Sequence, residues 1–227
     1  MAADLDFASF LASRLCHDLL SPIGAFSNGL ELLEDERDPE MRSRCMELLH
    51  ESARSSVAKL RYFRLAFGMA GGYGDSVDLA EAKGIVEALF GSDRTRVVWM
   101  IEASSLAKPA LRLLLNLVLI AGDALVRGGE LTVGVEAGSS GTEIVVRAAG
   151  DRVILDRDVA ATLDPTVGTP ALAARTSVAH LIRSLVEDAG GQLHFGGVQD
   201  GALLLGATLP APDEQVGRPG VAKARFS

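Results

Sequence analysis

The sequence predicts a helical hairpin that pairs into a dimeric four-helix bundle, followed by an α+β two-layer sandwich. Three observations carry this. Residues 5 to 67 repeat apolar positions at helical spacing with one charged break. A glycine cluster, 68-GMAGGYG-74, ends that pattern. Beyond it, short alternating strands mix with helices. The expected division is 1–72 for the hairpin, 73–210 for the α+β domain and 211–227 for a disordered Pro/Gly-rich tail.

The first helix covers about 5 to 33. Leu11, Leu15, Leu19, Pro22, Phe26, Leu30 and Leu33 are spaced four, four, three, four, four and three apart. At 100° per residue they fall within roughly a third of the helix circumference. Glu34 to Arg37 is the break. Asp38-Pro39 then supplies an N-cap and a proline at the first helical position. The second helix runs from Pro39 to Phe67, its apolar face built by Met41, Cys45, Leu48, Leu49, Ser52, Leu60, Phe63 and Phe67. One hairpin cannot enclose its own stripe, and a second copy completes a bundle.

The second region reads as a strand at Val77–Leu79, a helix at Ala80–Phe90 and a strand at Arg96–Ile101. A buried helix at Pro109–Val126 follows. Strands at Glu130–Glu136 and Thr142–Ala148 flank a Gly-Ser-Ser-Gly turn. A helix at about Pro170–Asp188 leads to Gly190-Gly191. Strands at Gln192–Phe195 and Ala202–Leu209 close the domain.

The chain has 227 residues, of which 48% are hydrophobic and only 5% aromatic, so its core is aliphatic. A net charge of −8 argues against a nucleic-acid surface. The acidic N-terminus lacks the basic start of a signal peptide. The most apolar run contains Arg112, Asn116 and Asp123, which suits a buried helix better than a membrane span. The expectation is a cytoplasmic protein with no membrane partner. Cys16 and Cys45 lie at no metal-binding spacing and read as reduced core thiols.

On the first helix His17 points almost directly away from the apolar stripe. Ser21, Gly24 and Asn28 share its side. A core histidine would lie on the stripe, and no second His or Cys stands at ligand spacing to make a metal site. No nucleophile elbow accompanies it either. An outward imidazole among small residues is a nucleophile that another protein can reach. Such a group suits phosphoryl transfer, which is largely positioning and charge neutralisation. Pro22 is expected to kink or loosen the helix below the histidine. His50-Glu51 repeats a His-acid pair but lacks the proline, and reads as a solvated helix position.

His17-Asp18-Leu19-Leu20-Ser21-Pro22 resembles the phosphoacceptor box of two-component histidine kinases. Leu20 stands where a basic residue is usual, and Asp18 where glutamate is commoner. The second domain resembles the ATP-binding domain of those kinases in layout, with its nucleotide boxes erased. Segment 113-LLLNLVLIAGDAL-125 matches the magnesium-binding helix, but Ile120 takes the ligand position and Asn116 matches only the preceding structural asparagine. Ala148 takes the place of the adenine-reading aspartate and Arg152 that of a glycine, with Gly150 kept. The helix ending 186-VEDAGG-191 is present, while the glycines before it are replaced by Thr176-Ser177-Val178. Isoleucine cannot ligate magnesium, and a phosphate loop needs glycines for backbone approach.

An acceptor box on a hairpin ahead of a nucleotide-dead domain is similar to the ChpT-type histidine phosphotransferases of alphaproteobacteria. RLCHDLLSPIGAFSNGLELL carries the resemblance, which extends over residues 8–210. It implies a homodimer that relays phosphoryl groups from the receiver of a hybrid histidine kinase to response-regulator receivers in cell-cycle control. His17 would be phosphoacceptor and donor, with Asp18 in support. Arg14, Leu20, Ser21, Gly24 and Asn28 would line the receiver-docking face. The chain itself would hold no cofactor and no metal, with Mg²⁺ bound in the receiver. Two other readings stand beside it: a non-catalytic scaffold for response regulators, and an active sensor kinase. The erased boxes weigh against the kinase, and the outward His-acid-Pro arrangement weighs against the scaffold.

Overall fold

The computed structural model describes residues 2–68 and 76–211, with side chains from residue 5 onward. Helix α1 (Ala2–Asp35) and helix α2 (Pro39–Phe67) form the hairpin. The connector is fixed at both ends. The Asp38 carboxylate accepts from the Glu40 N–H at 3.1 Å, and Pro39 opens α2. Arg42 donates to the carbonyls of Leu33 and Glu36, which the end of α1 leaves open. The two helices pack closely at Gly29, where an added Cβ would stand 3.0 Å from a Leu49 methyl.

The α/β domain contains β1 (Ser76–Asp78), α3 (Leu79–Phe90), β2 (Thr95–Ile101), β3 (Ser105–Ala107), α4 (Lys108–Ala124), β4 (Gly129–Gly138), β5 (Gly141–Ala149), α5 (Arg157–Leu163), α6 (Ser177–Asp188), β6 (Gln192–Gln199) and β7 (Ala202–Pro210). Five strands form one sheet in the order β2-β4-β5-β7-β6. All its pairings are antiparallel except β2 with β4. One face of the sheet is dry. Leu131, Val133, Ile144, Val146, Leu203, Leu205 and Ala207 are buried there beneath α4 and α6.

Helix α4 is buried nearly all round because α2 and α3 cover its other side. Tyr62 of α2 is fully buried and its hydroxyl donates to the Leu115 carbonyl at 2.5 Å. The Asn116 amide donates to the Ala66 carbonyl at 3.0 Å. The C-terminal end of α2 thus belongs to the domain core, and hairpin and sheet share one apolar cluster. At the end of α6, Gly190 takes φ +67° and Gly191 packs where a Cβ would lie 2.4 Å from the Thr208 carbonyl oxygen. The VEDAGG ending is therefore what lets β6 turn back onto β7.

Several expected elements differ. The helix expected at Pro170–Asp188 begins only at Ser177, after a 3-10 turn at Ala174–Thr176. Residues 164–173 form no helix, since Thr176 turns back to take the Ala173 N–H. Helix α5 was not expected; its signal is Asp156, whose carboxylate caps the N–H groups of Asp158 and Val159. Strand β3 is short and pairs with β1. Helix α1 passes through Pro22 without interruption and runs to Asp35. Cys16 is exposed and only Cys45 is a core thiol; at 100° per residue Cys16 falls outside the arc of the apolar stripe. The boundary expected between residues 72 and 73, and the tail from 212, lie outside the described residues.

Candidate functional site

His17 sits midway along α1 with 85% of its side chain exposed. Its Nδ1 lies 3.2 Å from Oδ1 of Asp18. Neighbours in sequence do not normally face each other on a helix, so this contact needs Asp18 to be held. Arg14, one turn back, does so: its Nε donates to Asp18 Oδ2 at 2.7 Å. The terminal nitrogen of Arg14 reaches Asp123 Oδ2 on α4 at 2.6 Å. The result is a chain of four side chains, His17–Asp18–Arg14–Asp123, that runs from the exposed helix face into the α/β domain. The Asp123 side chain is 48% exposed, and its carboxyl is raised by the loss of water around it, against the opposing pull of Arg14.

The chemistry follows from the donors. An ionised carboxylate only accepts, so Asp18 selects the ring tautomer that carries its proton on Nδ1. Nε2 is then left bare on a side chain that is 85% exposed, with no hydrogen-bond partner among the described residues. This is the form an imidazole must take to act as a nucleophile.

Pro22 has a local consequence four residues upstream. Its missing N–H is the one that would bond to the Asp18 carbonyl within the helix. Lys59 of α2 fills the gap, donating from Nζ to that oxygen at 2.7 Å. The proline therefore ties α2 to the backbone of the residue beside His17 without breaking α1.

The other candidate residues divide. Leu20 is 67% exposed, a large apolar side chain in water. Ser21 and Asn28 are exposed as well, and Gly24 is half-buried. A Cβ at Gly24 would meet nothing within 4 Å, so the chain's own packing does not demand a glycine there. Arg14 differs from them: it is largely covered and engaged by two carboxylates. Cys16 is exposed next to His17, and His50 is an exposed position on α2. Sequence reasoning missed Lys59 and Asp123. The proline hinted at an orphaned carbonyl, but nothing local points to which cation takes it.

Ile120 and Ala148 both pack into the core. Asn116 spends its amide nitrogen on the carbonyls of Ala66 and Arg112. Thr176 and Ser177 are buried, with their hydroxyls bonded to nearby backbone. Between α4, the segment before α5 and the start of α6 lies a cavity of about 230 Å³. Ile120, Asp123, Asp156, Arg175 and Val178 line it, and Arg14 reaches into it from α1. Among the described residues no cluster of His, Cys, Asp and Glu side chains could hold a metal ion. No described helix is long and apolar enough to cross a membrane.

Residues 79–200 match the family model of the histidine phosphotransferase C-terminal domain, more than half of the chain. The chain belongs to the histidine phosphotransferase family. It is 38% identical over 146 residues to the protein phosphotransferase ChpT of Brucella abortus (strain 2308), covering 64% of this chain and 68% of that one. A solved structure of a bacterial phosphotransferase superposes with a TM-score of 0.77 at 30% identity, over 89% of this chain and 96% of the other. Only about a tenth of this phosphotransferase is left out of that match, so it takes in hairpin and sheet together. The matched family segment opens at Leu79, the first residue of α3. His17 lies outside it, on the hairpin.

Proposed function

We propose that this phosphotransferase is a relay between two receiver domains, with His17 as the phosphoryl carrier. In the first step the Nε2 lone pair attacks the phosphorus of a receiver's aspartyl phosphate. The P–O bond breaks and the carboxylate leaves with its electrons. The Nδ1 proton stays in place, and Asp18 balances the positive charge that the ring gains. In the return step a second receiver's carboxylate attacks the phosphorus, and the N–P bond pair goes back to Nε2. Magnesium is supplied by the receiver. The observation that carries this reading is the outward Nε2 of a histidine whose other nitrogen is held by Asp18.

The donor is a phosphorylated receiver and not ATP. Ile120 offers no oxygen for magnesium and Ala148 no carboxylate for adenine. The cavity of about 230 Å³ is below the usual range of ligand pockets, roughly 300–1,000 Å³. Leu20, Ser21, Gly24 and Asn28 form the face that receives the partner, with Gly24 leaving room for its backbone.

The working unit is a homodimer in the cytoplasm. Ile23, Phe26 and Leu30 make an exposed ridge on α1, and Met41 and Leu48, one heptad apart on α2, are exposed as well. A second hairpin would cover them in a four-helix bundle. The deciding experiment incubates the full chain with labelled ATP alone, then with a labelled phosphoreceiver of a hybrid kinase. Label is expected on His17 only in the second case. Label acquired from ATP alone would overturn the relay.

A further inference from the structure

The geometry points to Asp123 as a positioning residue for phosphoryl transfer at His17, acting through Arg14 and Asp18 from the α/β domain. The inference rests on the relay reading above and extends it to a residue more than 100 positions away in sequence.

Arg14 presents two edges of one planar guanidinium. Nε faces Asp18 Oδ2 at 2.7 Å, and the terminal nitrogen faces Asp123 Oδ2 at 2.6 Å. Acids on both edges fix the plane of the fork. That in turn decides which oxygen of Asp18 is used. Oδ2 is committed to Arg14, so Oδ1 is left toward His17 Nδ1 at 3.2 Å. Without Asp123, this long arginine side chain has one anchor instead of two. Asp18 then regains rotamers that turn its carboxylate away from the ring. The ring loses the acceptor that keeps its proton on Nδ1, and Nε2 spends part of its time protonated and unable to attack.

Asp123 is well placed for this and for little else. It lines the small cavity together with Ile120 and Asp156, and a carboxylate there would repel a phosphate. The charged and titratable groups that interact with it are Arg14, Asp18, Lys59 and Tyr62, and of these Arg14 and Lys59 also hold the carboxylate and the backbone of Asp18. In this reading the α/β domain does more than support the hairpin: it sets the protonation geometry of the carrier.

The test uses the full-length chain with ¹⁵N-labelled histidine. Long-range ¹H–¹⁵N correlations at alkaline pH, where an imidazole is neutral, report which nitrogen of His17 holds the proton. Wild type is expected to show Nδ1 protonated and Nε2 bare. Asp123→Asn, nearly isosteric, is expected to give a mixture of tautomers. It should also slow uptake of label from a phosphoreceiver by roughly fivefold, the scale of losing one partly exposed ion pair. Asp123→Glu should restore both. A purely structural tie predicts otherwise: Asp123→Asn would lower the melting temperature while leaving tautomer and rate at wild-type values, which overturns the proposal. If Asp123→Asn does not fold, Arg14→Gln is read in the same way. Wild type that takes no label on His17 would sink the relay, whereas the tautomer measurement would still decide the link from Asp123 to the ring.

Discussion

The ammonium group of Lys59 donates to the carbonyl oxygen of Asp18 at 2.7 Å. That oxygen is available because Pro22, four residues on, has no N–H to give it. A proline inside a helix normally costs stability twice, through a lost hydrogen bond and through crowding. Here the first loss becomes a contact between the two helices of the hairpin, placed beside His17.

The coupling of Lys59 to Pro22 is measurable. Lys59→Met should destabilise the protein by about 1–2 kcal/mol, the range for a hydrogen bond from a charged donor. Pro22→Ala restores an N–H that satisfies the Asp18 carbonyl from within α1. In that background Lys59→Met should cost clearly less. A double-mutant cycle on urea unfolding midpoints measures the difference. Additive effects would mean that Lys59 does not replace the missing helical bond.

His17 and Asp18 should separate in single-turnover transfer from a phosphoreceiver. His17→Ala is expected to take no label. Asp18→Ala should still accept it, about tenfold more slowly, because Asp18 orients the ring and does not itself take up phosphate. Label on the His17→Ala protein would remove His17 as carrier, and complete loss in Asp18→Ala would give Asp18 a larger part than orientation.

How much of this was legible in the sequence depends on the range of the interaction. The wheel that turned His17 away from Leu11, Leu15 and Leu19 needed only helical period, and the side chain is indeed 85% exposed. The Asp38 cap, α4 and the VEDAGG ending rest on neighbouring residues and were readable for the same reason. The start of α6 was not. Pro170 to Thr176 have helix-compatible composition, but Thr176 bonds back to Ala173 instead, a local competition that periodicity does not register. Asp123 was visible only as a charge in an apolar run. Its partner is 109 residues away, and no spacing rule relates the two.

The dimer reading gives a charge-insertion test. Phe26 and Leu30 are exposed within one chain, so glutamate at both positions should leave the monomer folded. In a two-fold bundle the change brings four carboxylates into an apolar seam. Burying unpaired charge costs several kcal/mol, which implies a dissociation constant raised on the order of a hundredfold or more. Sedimentation equilibrium on Phe26→Glu/Leu30→Glu, with helicity checked by circular dichroism, measures it. An unchanged dimer would mean that these residues lie outside the seam.

Tyr62 connects hairpin and sheet, and its pH behaviour tests that connection. It is fully buried, bonded to the Leu115 carbonyl and packed edge-on against Phe63 and Phe90. Tyr62→Phe keeps the packing and removes the hydrogen bond, so at pH 8 it should cost about 1 kcal/mol. Burial, helped by the charge of Asp123, raises the Tyr62 hydroxyl well above the ordinary tyrosine range. A folded-state value above the unfolded one gives stability that is complete below the unfolded value. It is lost as pH rises toward the folded value, because the unfolded chain releases the proton first. Wild type should therefore lose stability above about pH 10 through a group that Tyr62→Phe lacks. The gap between the two proteins in urea midpoint should narrow from pH 8 to pH 11. All other titrating groups are common to both proteins and cancel in the comparison. A gap that stays constant would mean that Tyr62 ionises as readily in the folded protein as in the unfolded chain, and that the end of α2 is not sealed against α4.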